Sequence, residues 1–194
     1  MHHIYHTESF VLSSRPTGED SKTLVLYTRE LGLVHARAQA LRKLSSKLRY
    51  TLQDFSRAQV DLVRGKEVWR ITTASPLDTF REIRRDIEKG GVFARVCSLI
   101  ARMCAGEDPN AEVYAVLTDM VVMLEDARSA SAEALRATEL FCVTRILISL
   151  GYLNRTLLPD LSEGTITVPE TFSDPVFRKS LLVQINQALA EAQL

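Results

Sequence analysis

The chain has 194 residues, of which 46% are hydrophobic and 25% are charged, a composition typical of a globular protein with one large or two small domains. Its 24 Lys and Arg residues balance its 24 Asp and Glu residues, which argues against a basic coat over the whole surface. No run of eighteen apolar residues occurs, and the first ten residues lack the pattern of a signal peptide. We therefore expect a cytoplasmic protein without a membrane span.

The charges are distributed unevenly along the chain. Residues 1–80 hold twelve Lys and Arg against eight Asp and Glu, so the remainder carries a compensating negative excess. Cations without any intervening acid concentrate between residues 37 and 49, at Arg37, Arg42, Lys43, Lys47 and Arg49. Such a run, which also contains Ser45 and Ser46, is typical of a surface that contacts phosphates. The alternative interpretation is a solvated loop whose charges keep the protein soluble.

The first eighty residues show the alternation of apolar and polar positions that predicts β-strands. The predicted strands are Phe10–Leu12, Thr23–Thr28, Leu33–Ala40, Phe55–Val63 and Val68–Thr73. Five short strands with a longer break between the third and the fourth favour a small closed barrel of the oligonucleotide-binding (OB) type. An SH3-like barrel or a split sheet fits the same pattern.

Beyond Pro76 the apolar positions recur at the spacing of helices. We expect a first helix that Gly90-Gly91 ends, a second through Cys104, a third that Asp108-Pro109 begins, a fourth capped by Ser131 and a fifth that starts at Ser173-Asp174-Pro175. The fourth helix is predicted to end at Gly151 and to form the buried centre of a bundle. Between these last two helices, LSEGTITV is a candidate hairpin.

No residues form a recognisable catalytic or metal-binding set. Arg64-Gly65-Lys66-Glu67 resembles the end of a phosphate-binding loop, but Val60 stands where the first Gly belongs and Glu67 replaces the Ser or Thr. The three cysteines are predicted to be buried free thiols in helices, and the N-terminal histidines are expected in a mobile terminus without metal. We therefore expect no enzyme, no cofactor and no metal.

Aromatic residues near the cations are candidates for stacking on nucleic-acid bases. Tyr27, on the same predicted outward face as Arg29, is the favoured stacking residue. The alternative is that Tyr27 packs against a loop. Trp69 is in phase with Ile71 and is predicted to lie in the core.

Several pieces of the chain, taken in their order and spacing, carry a resemblance to a known family. They are Gly18-Glu19-Asp20 with Lys22, TLVLYTRELG at 23–32, RKLSSKLR at 42–49, Leu52-Gln53-Asp54-Phe55 and Arg64-Gly65-Lys66. Together they resemble the N-terminal domain of the RecO family of bacterial recombination mediators. In the helical half, Leu135-Arg136, Glu139-Leu140 and Leu150-Gly151-Tyr152 resemble the central helix of that family.

The resemblance implies a protein that binds single- and double-stranded DNA without sequence specificity, anneals complementary strands and helps a RecR-type ring load a recombinase. It implies a DNA-contacting set at Arg37, Arg42, Lys43, Lys47 and Arg49. It also implies binding of the acidic, apolar-ended tail of single-strand-binding protein (SSB), which needs an apolar pocket beside a cation such as Arg128, Arg136 or Arg145. Many members carry a four-cysteine zinc module, but residues 154–172 contain no cysteine.

The sequence thus predicts an α+β protein, with an OB-type barrel at residues 1–76 and an all-α helical domain at residues 77–194. The predicted function is a non-enzymatic, DNA-binding recombination mediator of the bacterial nucleoid. The predicted DNA-binding residues are Arg37, Arg42, Lys43, Lys47, Arg49, Tyr27 and Arg29. The alternative is a protein-interaction scaffold with the same fold and weak or no DNA binding.

Overall fold

The alternating residues of the N-terminal half form five strands that close into a barrel in the order β1-β2-β3-β5-β4. The structure is a computed structural model and describes residues 3–39, 48–66, 68–126, 131–158 and 167–192. The strands are β1 (Ile4–Thr17), β2 (Ser21–Thr28), β3 (Gly32–Ala38), β4 (Arg57–Arg64) and β5 (Trp69–Asp78). All pairings are antiparallel except that of β3 with β5, which is parallel. The predicted five-stranded OB-type barrel is confirmed.

β1 is longer than the strand predicted at residues 10–12, because it pairs with two neighbouring strands. Its first half pairs with β4 and its second half with β2, and a register shift between Val11 and Ser13 bends the strand. A bulge of this kind adds twist and lets one strand turn a barrel corner. β4, by contrast, begins two residues later than the predicted Phe55.

The barrel interior is filled by alternate residues of every strand. Leu24 and Leu26 of β2, for example, are fully buried, and Ala36 and Ala38 of β3 provide small side chains where strands approach closely. Trp69 is 4% exposed and belongs to this core, which confirms its predicted role. A helix of four residues, α1 (Leu48–Thr51), lies between β3 and β4 along the chain.

Most of the residues described after β5 are helical, which confirms the α+β class. The helices are α2 (Arg81–Arg85), α3 (Ile87–Met103), α4 (Ala111–Glu125), α5 (Ala132–Ser149) and α6 (Pro175–Glu191), with short 3-10 helices at Arg155–Leu157 and Glu170–Ser173. Two compact units result: residues 1–80 together with 104–110, and residues 81–103 together with 111–194. The predicted boundary at residue 76 stays a prediction, but residues 104–110 join the barrel unit.

Side-chain caps define the ends of α5 and α6 as the sequence predicts. Ser131 accepts a hydrogen bond from the amide of Ala134, and Gly151 follows α5 with a φ of 82°. Asp174 accepts from the first amides of α6, and Pro175 occupies the first turn. The candidate hairpin LSEGTITV falls mostly on residues 159–166, outside the described residues.

The predicted helix stop at Gly90-Gly91 is wrong, because α3 runs through both glycines. The break comes earlier, at Asp86, whose carboxylate accepts from the amides of Glu88 and Lys89 and begins α3. A Cβ on Gly90 would lie 3.0 Å from the carbonyl oxygen of Ile83. Glycine here permits close packing between consecutive helices instead of ending one.

Candidate nucleic-acid interface

Three arginines lie in one row across the outer surface of the barrel. Strand register places Arg15 of β1 opposite Thr23 of β2, Thr23 opposite Arg37 of β3, and Arg37 opposite Arg70 of β5. Residues directly opposite each other on paired strands project from the same face. Arg15, Arg37 and Arg70 therefore form what we call the arginine row, which crosses four of the five strands.

The arginine row is a concentration of uncompensated positive charge. Neighbouring strands lie about 4.8 Å apart, so the row extends over roughly 14 Å. Arg15 and Arg70 are exposed and Arg37 is half-buried. Across the described ranges, no carboxylate forms an ion pair with any of the three. The row thus offers guanidinium groups to anions from solvent.

Arg37 is the member of the row that the barrel holds most closely. One terminal nitrogen of its guanidinium lies 3.9 Å from the position of a Cβ on Gly18, in the turn between β1 and β2. Its Nε is buried and has no hydrogen-bond partner among the described residues. The Arg37 side chain therefore lies against this turn and reaches solvent only in part.

On the outer surface of β1 and β4, by contrast, cations are paired with acids. Glu8 lies 2.6 Å from Arg57 and 4.0 Å from Arg29. His6, expected in a mobile terminus, belongs to β1, and its Nδ1 lies 2.6 Å from Asp61. Arg29, a predicted DNA-binding residue, is 61% exposed but shares this carboxylate, so its charge is partly compensated.

Tyr27 does not present its ring to solvent. It lies on the outer surface of β2 as predicted, but it is fully buried and its hydroxyl donates to the carbonyl of Asn110 at 3.2 Å. Burial raises the pKa of Tyr27, and the nearby Cys104 thiol adds to the rise. The prediction of a stacking residue is therefore wrong for this conformation, and the alternative, packing against a loop, is observed.

The loop over Tyr27 is Cys104–Asn110, which we call the strap. The Leu33 amide donates to the carbonyl of Gly106 at 3.2 Å. Glu107 accepts from Trp69 Nε1 at 2.9 Å and from Arg64 at 2.8 Å. Asp108-Pro109, predicted to begin a helix, instead belongs to the strap, because α4 starts at Ala111.

Part of the predicted basic run lies outside the described residues, namely Arg42, Lys43 and Lys47. Arg49 is described and is exposed on α1. Its neighbour Tyr50 is 72% exposed. The structure thus brings an exposed cation and an exposed aromatic ring together at α1.

Sequence reasoning missed Arg15, Arg70 and Tyr50. Arg70 stands between the inward residues Trp69 and Ile71, so alternation alone would have placed it outside. Its alignment with Arg15 needed the register of three strand pairs, which a single sequence does not provide. The exposure of Tyr50 could have been suspected from the basic residues around it.

The described residues show neither a metal cluster nor a membrane-spanning helix. In the described ranges, no three His, Cys, Asp or Glu side chains gather as a metal site would require. None of the described helices combines the length and apolarity needed to cross a bilayer. All three cysteines are buried thiols, and burial raises the pKa of Cys104 to about 11 and that of Cys142 to about 12.

The helical unit contains a groove between α5 and α6, which we call the α5–α6 groove, with a volume of about 710 Å³. Its apolar lining includes Leu140, Val143 and Leu182. Arg136 and Lys179 lie at its rim, and neither is ion-paired within the part of the chain that the structure describes.

Two charged residues of the helical unit are neutralised by ion pairs: Glu139, which lines the α5–α6 groove, and Arg145, a predicted tail-binding cation. Glu139, which also lines the groove, is bound by Arg95 at 2.6 Å, so the rim remains positive. Arg145, a predicted tail-binding cation, is instead buried and lies 2.8 Å from Glu112 and 2.6 Å from Asp119. It is unavailable to a ligand. Arg128 lies outside the described residues.

Comparison with known proteins agrees with this architecture. A closed five-stranded barrel with a basic outer row, followed by helices, defines an OB-type domain joined to a helical domain. Residues 1–80 match the family model described as Recombination protein O N terminal. The chain is thus similar to the RecO family, and with one member the similarity extends over 88% of its length.

Three relatives illustrate the extent of the similarity. The DNA repair protein RecO of Pelotomaculum thermopropionicum is 31% identical over 171 residues, 88% of this chain and 64% of the relative. That of Roseiflexus sp. is 30% identical over 77% of this chain and 50% of its own length. That of Dehalococcoides mccartyi is 27% identical over 66% and 51%. The chain thus spans between half and two thirds of these relatives.

Proposed function

We propose that this chain is a non-enzymatic recombination mediator in DNA repair, which binds single- and double-stranded DNA without sequence specificity and promotes strand annealing. The observation that carries the proposal is the arginine row, three guanidinium groups without a paired carboxylate among the described residues. Contacts to phosphates fix a protein on nucleic acid but read no bases. The relatives that share the barrel are DNA repair proteins by name.

Annealing follows from the same charge. Two complementary strands repel each other through their phosphates, and the repulsion weakens when cations are held between or beside them. The arginine row crosses the strands of the barrel and gives one nucleic-acid backbone several guanidinium contacts. The predicted DNA-binding residues Arg42, Lys43, Lys47 and Arg49 would add further phosphate contacts.

The test uses the full chain and a charge-matched control. Replacing both Arg15 and Arg70 by Ala removes two exposed cations of the row, whereas replacing Arg102 and Arg155 by Ala removes two exposed cations of the helical unit. Binding of a fluorescent single strand is measured by anisotropy across a salt series.

Two lost phosphate contacts should flatten the slope of log K against log salt by about 1.4 on a single strand and about 1.8 on a duplex. The control variant should keep the slope of the wild-type protein. Equal slopes for both variants would move the DNA path away from the row. An absence of binding by the wild type at low salt would overturn the proposed function.

We also propose that the α5–α6 groove takes the acidic, apolar-ended tail of SSB. Leu140, Val143 and Leu182 supply apolar surface, and Arg136 and Lys179 supply the charge for acidic residues. A labelled acidic peptide with an apolar C-terminal residue should bind the wild type. Binding should weaken in Arg136→Glu and persist in Arg102→Glu. A peptide that binds both variants equally would exclude the groove.

The α5–α6 groove also favours the second candidate function, a protein-interaction scaffold. In that case the peptide binds while DNA does not, even at low salt. Cooperation with a RecR-type ring and support of recombinase loading belong to the preferred proposal. They are tested by the rate at which recombinase displaces SSB from a single strand, with and without this protein and the ring.

A further inference from the structure

Exposed aromatic rings are rare in this protein. All thirteen aromatic residues lie in the described ranges, and only Tyr50 and Tyr152 are exposed, at 72% and 40%. Tyr152 belongs to the helical unit. Tyr50 is therefore the single exposed Phe, Trp or Tyr side chain of the barrel unit. Single exposed apolar side chains are common on protein surfaces, so it is the basic surroundings of Tyr50 that indicate a binding role.

The backbone under Tyr50 is firmly held. Leu52 is buried in the barrel core, and Leu48 packs against that core. The Leu52 amide donates to the carbonyl of Leu48 at 2.9 Å, and Ser56 Oγ donates to the carbonyl of Thr51 at 2.9 Å. The ring thus projects from an anchored turn and has only two side-chain torsions to immobilise on binding, a small entropic cost.

Positive charge lies next to the ring. Arg49 precedes Tyr50 and is exposed on the same short helix. α1 also packs against β5, the strand that carries Arg70 of the arginine row. An exposed ring on a basic surface is the arrangement by which proteins hold unpaired nucleotides, since the ring stacks on a base while nearby cations bind the phosphates.

We propose that Tyr50 is a base-stacking platform that makes this protein prefer single-stranded over double-stranded DNA. The inference rests on the proposed function and adds the class of substrate that α1 selects. A base inside a duplex already stacks on its neighbours, so its π-face is unavailable to Tyr50. The arginine row, in contrast, contacts phosphates that both forms present.

The expected preference for single-stranded DNA is the contribution of one base stacked on Tyr50. Base–aromatic stacking corresponds to a loss of about 5-fold to about 150-fold in affinity when the ring is removed. Tyr50→Ala should therefore weaken single-strand binding within this range and leave duplex binding within about twofold. Tyr50→Phe keeps the ring and should retain the affinity of the wild type.

The experiment compares three labelled probes of equal length: a single strand, a single strand in which every base is replaced by an abasic sugar, and a duplex. Binding of wild type, Tyr50→Ala, Tyr50→Phe and the control Tyr152→Ala is measured at one salt concentration, after circular dichroism shows equal helix content. Tyr50→Ala should lose affinity for the first probe alone. The wild type and Tyr50→Ala should bind the abasic strand equally.

The outcomes separate this inference from the proposed function. If Tyr50→Ala binds the normal single strand as the wild type does, or weakens on all three probes alike, the stacking platform is overturned while DNA binding stands. If Tyr50→Phe is as weak as Tyr50→Ala, the hydroxyl acts and stacking is overturned. If the wild type binds none of the probes, the proposed function fails and this inference fails with it.

Discussion

A single methyl group at Gly32 should loosen the strap from the barrel. Gly32 has a φ of 69°, and a Cβ there would lie 2.4 Å from the carbonyl oxygen and 2.6 Å from the carbonyl carbon of Asp108. Both contacts are with backbone, so no side-chain rotation relieves them. The strap or the β2–β3 turn must shift in Gly32→Ala.

The expected loss has two parts that a control can separate. A left-handed φ costs a non-glycine residue about 1–2 kcal/mol, and overpacking costs about 1–3 kcal/mol more. Gly106, also in the strap, has nearly the same φ of 68° but nothing within 4 Å of its Cβ position. Gly106→Ala should therefore lose about 1–2 kcal/mol and Gly32→Ala about 2–5 kcal/mol.

The assay follows the fluorescence of Trp69 during urea unfolding. Trp69 is the only tryptophan, and its indole donates to Glu107 of the strap, so its emission reports on the barrel unit. The difference in unfolding free energy between Gly32→Ala and Gly106→Ala measures the steric part. Equal losses in the two variants would refute the close approach of Asp108 to the β2–β3 turn.

Three further predictions concern charge and thiols. The basic run is tested by the triple alanine variant of Lys43, Lys47 and Arg49. Its single-strand salt slope should flatten by about 2, and an unchanged slope would exclude the run. Arg145→Leu leaves Asp119 without its buried partner and should lower the free energy of unfolding by about 3 kcal/mol in thermal or urea unfolding, whereas no loss would contradict the ion pair. The pKa of Cys104 is raised by burial from 9.0 to about 11, so the thiol stabilises the fold below pH 9 and this contribution is lost as the pH rises toward 11. A Cys104→Ala variant should show a weaker fall in stability over that interval, and an identical fall would argue against the buried thiol.

Most of the secondary structure could be predicted from the sequence, because strand alternation and helix caps depend on residues that are close together in the chain. Strand alternation placed Trp69 and Ile71 in the core, and the side chains of Ser131 and Asp174 marked helix starts. The helix end predicted at Gly90-Gly91 was wrong because glycine can either end a helix or permit close contact between helices. Only the tertiary packing distinguishes these two roles.

The candidate site was less predictable, because its parts meet only through pairing of distant segments. Arg15 and Arg70 are 55 positions apart in sequence and align through the register of β1, β2, β3 and β5. Tyr27 faces outward from its strand, as alternation predicts, yet Asn110 covers it. No periodicity within residues 23–28 contains information on a loop eighty residues later.

During synthesis the barrel unit is completed late, because the strap is translated after residues 81–103 of the helical unit. Residues 1–80 leave the ribosome before residues 104–110, and at about 5–20 residues per second the intervening thirty residues take roughly 2–6 s. Through that interval the Tyr27 hydroxyl, the Leu33 amide and the Trp69 indole lack the acceptors that the strap provides. The contacts that the strap makes with the barrel can therefore form only after residue 110 has been translated.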